Sequence, residues 1–156
     1  MMITAHDDAD IPLAVQHADQ VVTGQQSLDD ARRFADRVRR GAREIGRVNG
    51  PVIVQNLVLL IVPGQAEADL LKQGLASAFF GHARVGAMRS RDLMTVADRQ
   101  LFIGTANSFA DFVACWLDTG ATDGFRLSWP YPSQGLEIFV QDIRPRLAAK
   151  SWFGAK

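Results

Sequence analysis

The segment GTANSFADFVACWLDTGATDGFRLSWPYPSQGLEIFVQDIRPRLAAK, residues 104–150, decides the fold of this chain. It reads as helix, tight turn, short apolar strand, Pro-bracketed loop and second helix, which is one βα period of an α/β protein with the preceding helix attached. Thr105 is placed to cap the first helix. Phe109, Phe112, Val113, Trp116 and Leu117 follow at the spacing that gathers large apolar groups on one face. Gly120 stands where a helix terminus wants a residue free to take positive φ, and Asp123-Gly124 turns the chain into the strand Phe125 to Ser128. Pro145 removes a backbone donor within the last helix and is expected to bend it.

Upstream, the same alternation repeats. Met2 to Ala5 reads as a strand, and Pro12 suits the first turn of a short helix through Leu13, Ala14 and His17. Gln20 to Thr23 is a second brief strand. Ser27 with Asp30 three residues on opens a helix whose inner face carries Leu28, Ala31, Phe34, Ala35, Val38, Ala42 and Ile45, with arginines on a solvated outer face. Val52 to Val62 is apolar except for Gln55 and Asn56, the pattern of a strand covered on both faces. Ala66 to Phe80 is helical by pattern, Gly81 to Arg89 is expected to be a loop, and Ser90 is expected to cap a short helix with Leu93, Val96 and Ala97. Four strands are thus expected, Met2 to Ala5, Val21 to Thr23, Val52 to Val62 and Gly124 to Ser128, in a single domain spanning residues 1–156.

Composition narrows the function classes. Lys+Arg and Asp+Glu each number 17 in 156 residues, so net charge recruits neither nucleic acid nor anionic lipid. The apolar run Leu57 to Val62 is far short of the ~18 residues that a membrane span needs, and the acidic start MMITAHDDAD is unlike a signal peptide. A cytoplasmic protein is the expectation. Cys115, the one cysteine, rules out an intrachain disulfide and is expected to be a buried structural thiol. His6, Asp7, Asp8 and Asp10 match no metal-ligand spacing and read as acids near a helix N-terminus; no metal site is expected. His17 reads as part of a helix-to-strand joint. Trp129, Pro130, Tyr131 and Pro132 follow a strand, where they serve either ligand binding or a rigid cover.

The ordered series Gly104-Thr105, GATDGF (120–125), the Pro-rich loop and Phe139-Val140 with Pro145 and Leu147 resembles the C-terminal segment of the bacterial-luciferase-like flavin monooxygenases. The branch is that of nitrilotriacetate and dibenzothiophene-sulfone monooxygenases. Earlier segments fit in the family's order: Val15-Gln16-His17-Ala18-Asp19 matches its A-A-x-H-A-D helix, and residues 21–47 match the strand and helix that follow. Ala106 replaces the usual Pro after Gly104-Thr105, and Lys150-Ser151 the usual basic-Gly pair.

The resemblance implies an α/β fold that is part of a TIM barrel: a half-barrel of about four parallel strands alternating with helices, the last four of eight. It implies a truncated oxygenase component using FMN that a separate flavin reductase has reduced, or, alternatively, a non-catalytic remnant or interaction subunit of a split flavin monooxygenase. The family's phosphate loop, G-x-S, falls on Ala5, His6 and Asp7, with Ala5 in the Gly position and Asp7 in the Ser position. A carboxylate there repels a phosphate at close range. Half a barrel also presents unpaired edges and uncovered apolar residues such as Val54, Leu57, Leu59 and Ile61, so an oligomer is expected, as a homodimer or with a separately encoded N-terminal half.

Overall fold

In the computed structural model, the described residues are 1–78, 83–85, 93–96 and 99–150. In chain order they form β1 (Met2–Thr4), a 3₁₀ turn (Asp8–Asp10), α1 (Ile11–His17), β2 (Gln20–Thr23), α2 (Leu28–Glu44), β3 (Val52–Ile61), α3 (Gln65–Ala78), β4 (Ala83–Val85), β5 (Leu93–Val96), β6 (Arg99–Gly104), α4 (Ala106–Asp118), β7 (Gly124–Ser128), α5 (Pro132–Ile138), a π-helical turn (Phe139–Ile143) and α6 (Arg144–Ala148). They group into two compact units, residues 1–56 with 116–126, and the described residues of 57–115 with 127–150.

In the first unit, β1, β2 and the start of β3 pair in parallel, with Ile3 opposite Val21 and Val21 opposite Ile53. α2 forms because Ser27 caps it: the hydroxyl accepts the Asp30 N–H at 3.1 Å and donates to the Asp30 carboxylate at 2.7 Å. Its inner face, Ala31, Phe34, Ala35, Val38 and Ala42, joins Ala14, Val15, Val21 and Ile53 in one apolar core. Each large side chain so buried contributes ~1.5–3 kcal/mol. Ile45, expected on that face, is exposed because it falls beyond the last helical residue. Arg39 does more than solvate the outer face. It donates to the Gly120 carbonyl at 2.6 Å and pairs with Asp123 at 2.8 Å. Gly120 takes φ +70°, the conformation that only glycine reaches without strain. Asp123 also accepts the Ile53 N–H at 2.8 Å, and the Thr122 hydroxyl donates to the Ile53 carbonyl at 2.9 Å.

In the second unit the end of β3 pairs in parallel with β6, Val58 opposite Leu101 and Ile61 opposite Gly104. β6 and β5 are antiparallel, as are β5 and β4. Three strands were therefore not foreseen. The helix expected around Leu93 and Val96 is a strand, because a run of four residues carries too little periodicity to tell the two apart, and the partner strand Arg99–Gly104 decides it. Ala83–Val85, inside the expected loop, pairs with β5 in the same way. Phe79, Phe80, Ser90 and Ala97 lie outside the described residues. Met94 and Ile103, brought by these strands, pack with Ala68, and Leu60, Leu71 and Leu101 close around them. Phe102 meets Phe109 edge-on at 5.0 Å and Phe112 at 5.1 Å.

β7 pairs with β3, and its contacts advance in one direction along both chains: Asp123 N–H to the Ile53 carbonyl at 2.8 Å, then the Ser128 hydroxyl to the Leu57 carbonyl at 3.4 Å. Along β3 itself Val54, Leu57 and Leu59 are 6%, 0% and 1% exposed, so these three of the four residues expected to lie open are covered, whereas Ile61 is half-buried. The π-helical turn directly precedes the Pro145 turn, the local irregularity that a missing N–H produces.

Replacing Asp123 with Ala leaves the Ile53 N–H and one nitrogen of the Arg39 guanidinium without their acceptor. The expected loss of unfolding free energy is about 1–3 kcal/mol, read by urea denaturation, with Asp123→Asn losing less.

Candidate functional site

In parallel α/β folds, ligands meet the loops at the C-terminal ends of the strands. In the first unit these are the segments after β1 and β2. Ala5 is fully buried, and its N–H continues the ladder to the Val22 carbonyl at 2.9 Å. The next two backbone donors converge on one acceptor: His6 N–H and Asp7 N–H reach the same Asp10 carboxylate oxygen, at 2.9 and 3.4 Å. Asp7 answers by accepting the Ala9 N–H at 2.9 Å, so the two carboxylates cap the turn reciprocally. The His6 N–H, then that of Asp7, holds the Asp10 carboxyl below the usual carboxylate range. Asp8 is ion-paired with Arg37.

After β2, Gln55 is 0% exposed, and both its amide oxygen and its amide nitrogen are engaged. Its carbonyl oxygen accepts the Gln25 N–H at 3.2 Å, its amide donates to the Gln25 carbonyl at 3.0 Å, and the Gln25 side chain donates to Thr23 at 2.7 Å. This locks the β2 loop to β3. His17 is exposed on the last turn of α1.

In the second unit, two clefts border the end of β3. One, of about 110 Å³, lies between Leu59, Leu60 and Ile61 on one side and Trp129, Tyr131 and Gly135 on the other. The Pro-bracketed loop thus lines a cleft. Trp129 packs edge-on against Phe139 at 6.2 Å, and its indole nitrogen is buried with no hydrogen-bond partner. A Cβ at Gly135 would fall 2.1 Å from the Trp129 ring, so only glycine lets the indole lie against α5. The other cleft, of about 340 Å³, has a polar wall of Thr105, Asn107, Asp142 and Arg146. Arg146 donates to Asn107 at 2.5 Å and also to the Asp142 carbonyl. Thr105 and Ser108 cap α4 mutually, Ser108 N–H to Thr105 Oγ1 at 3.1 Å and Thr105 N–H to Ser108 Oγ at 2.9 Å.

Cys115 is exposed, contrary to expectation. At about 100° per residue it falls outside the stripe of Phe109, Val113 and Trp116. Among the described residues no group of three or more His, Cys, Asp or Glu is placed to hold a metal, and no helix is long and apolar enough to cross a membrane. Sequence reasoning missed the roles of Asp10, Gln55 and Arg146. The Asp7-x-x-Asp10 spacing and the polar pair Gln55-Asn56 inside an apolar strand were signals for the first two, and Arg146 carried none.

No protein-family model matches the sequence. The chain is 23% identical over 191 aligned positions to N-acetyl-S-(2-succino)cysteine monooxygenase of Bacillus subtilis (strain 168), covering 90% of this chain and 43% of that protein. Its fold superposes on EDTA monooxygenase from Chelativorans sp. BNC1 with a TM-score of 0.74 at 21% identity, over 96% of this chain and 44% of the other. DmoA from Hyphomicrobium sulfonivorans follows with 0.68 at 17% identity, over 94% and 40%. The fold is therefore a mostly parallel α/β arrangement matching part of a luciferase-like TIM barrel, and the chain spans less than half the length of these relatives. Enzymes that depend on coenzyme F420 are also structural neighbours.

FMN, which the resemblance implied, carries a phosphate, and residues 5–7 do not fit one. Their two free-running N–H groups are already bound to the Asp10 carboxylate, and Asp7 adds a second negative charge.

Two outcomes are expected. Gly135→Ala displaces the Trp129 ring, costs about 1–3 kcal/mol and changes the near-ultraviolet circular dichroism, a change absent from the same substitution in a Trp129→Phe background. For Asp10, whose folded pKa is depressed, the cap is fully present above the unfolded value and lost as pH falls through the lower folded one. The Asp10 carboxyl ¹³C shift should accordingly titrate below that of an unfolded-peptide Asp.

Proposed function

We propose that this chain supplies the C-terminal half of the barrel of a luciferase-like, flavin-dependent monooxygenase, as part of a truncated or split oxygenase component. The observation that carries this reading is coverage: nearly the whole chain, 96%, superposes on EDTA monooxygenase, yet it accounts for only 44% of that enzyme. The other wall of the flavin and substrate site then comes from a second polypeptide, either a separately encoded N-terminal half or a second copy of this chain. β1 offers the place for it. Among the described residues it is an edge strand paired with β2 alone, and its first residue Met2, like Met1 before it, is exposed. A separate flavin reductase supplies reduced flavin in this reading. Flavin, when bound, supplies the oxygen chemistry. This chain's own contribution is the walls around Trp129 and Arg146.

A second reading, a non-catalytic remnant or interaction subunit, is favoured by the Asp10 carboxylate at the phosphate-loop N–H groups. One pair of measurements separates them. Light scattering at micromolar concentration should give a mass above 17.1 kDa for the assembled oxygenase component, and flavin fluorescence should be quenched saturably by that species. A stable monomer without flavin binding at high micromolar flavin removes the catalytic reading for the isolated chain.

A further inference from the structure

The loop after β1 has a feature that neither composition nor fold class requires. Two successive backbone donors, His6 N–H and Asp7 N–H, leave the sheet and end on one oxygen of Asp10 at 2.9 and 3.4 Å. Adjacent N–H groups aimed at one point make the concavity in which proteins commonly seat an anion. Here the anion is the chain's own. The Asp7 carboxylate is held in the same turn by the Ala9 N–H at 2.9 Å, and the Asp10 N–H returns to the Asp7 carbonyl at 3.3 Å, so the turn is closed from both sides. Arg37, the cation that α2 brings to this turn, is spent on Asp8.

We propose that Asp10 is an internal stand-in for a phosphate and the specificity-determining residue of this loop. With Asp10 in place the loop takes no phosphate group, and whatever flavin the chain holds is chosen by its ring and not by its phosphate. The physical cause is twofold. A phosphate must displace a charge-assisted acceptor already in position, and it must do so within a few ångströms of two carboxylates. The proposal is local and holds whether or not the chain is an oxygenase.

The test follows the His6 and Asp7 amide resonances of the full chain by ¹⁵N-resolved NMR at neutral pH while inorganic phosphate is added. In the wild type both resonances should stay unmoved to tens of millimolar phosphate. In Asp10→Ala both should lose their hydrogen-bonded position and shift saturably with phosphate, at least about tenfold more tightly than in the wild type. FMN and riboflavin titrated side by side should show FMN gaining about tenfold on riboflavin in the variant relative to the wild type. A saturable wild-type response overturns the proposal, and so does a folded Asp10→Ala that is as indifferent to phosphate as the wild type. If Asp10→Ala does not fold, Asp10→Asn, a neutral and weaker acceptor, takes its place: its two amides start hydrogen-bonded and should still shift saturably with phosphate, and a folded Asp10→Asn as indifferent to phosphate as the wild type overturns the proposal. A chain that binds neither flavin fails the oxygenase reading while the phosphate shifts still decide this one.

Discussion

The first unit depends on one carboxylate. Asp123 sits in the turn before β7 and accepts from the first interior N–H of β3, at Ile53, and from the guanidinium of Arg39 on α2. The neighbouring Thr122 hydroxyl takes the Ile53 carbonyl, and the Gly120 carbonyl takes a second Arg39 nitrogen. A turn, a helix and a strand start that are far apart in sequence are thereby held at one point by charge-assisted bonds, the strong class of protein hydrogen bond. β3 is the strand on which β2 and β7 both pair, so fixing where it begins fixes the pairing of each.

The polar groups divide along the same line. In the first unit the loops beyond the strands consume their own donors and acceptors: Asp7 with Asp10, and Gln25 with Gln55 and Thr23. Such closed networks are rigid and leave little for a ligand to bind. In the second unit an indole N–H is buried without a partner, beside a cleft and held there by a glycine that admits no side chain. An unmet buried donor is costly, and it marks the Trp129 loop as the better place to look for a ligand.

Much of this could be read from the residues. Ser27, Thr105, Gly120 and Pro12 act at helix ends as their chemistry demands, because a cap is a contact among a few neighbouring residues. The apolar stripe of α2 and the continuous run of β3 were equally legible, since burial follows from period and from hydrophobicity on both faces. The strands at 83–85, 93–96 and 99–104 were not, except that Leu101 to Ile103 was plainly apolar. Ala83–Val85 and Leu93–Val96, three and four residues long, and Arg99–Gly104, six, are held by antiparallel pairing with one another, and no local pattern names a partner. Cys115 was misplaced for a smaller reason: an apolar neighbourhood in sequence is not an apolar face on a helix.

For the site, the chain by itself determined which residues follow the first strand, Ala5, His6 and Asp7, and that the last of them brings a carboxylate. Tertiary structure decided what those positions do, because a backbone N–H is the same in every sequence until its acceptor is known. The fold turned Asp10 back onto two of them and carried Arg37 to Asp8 and Arg39 to Asp123 from residues tens of positions away. Local chemistry sets what each residue can offer, and the pairing of distant strands and helices sets which offers are taken.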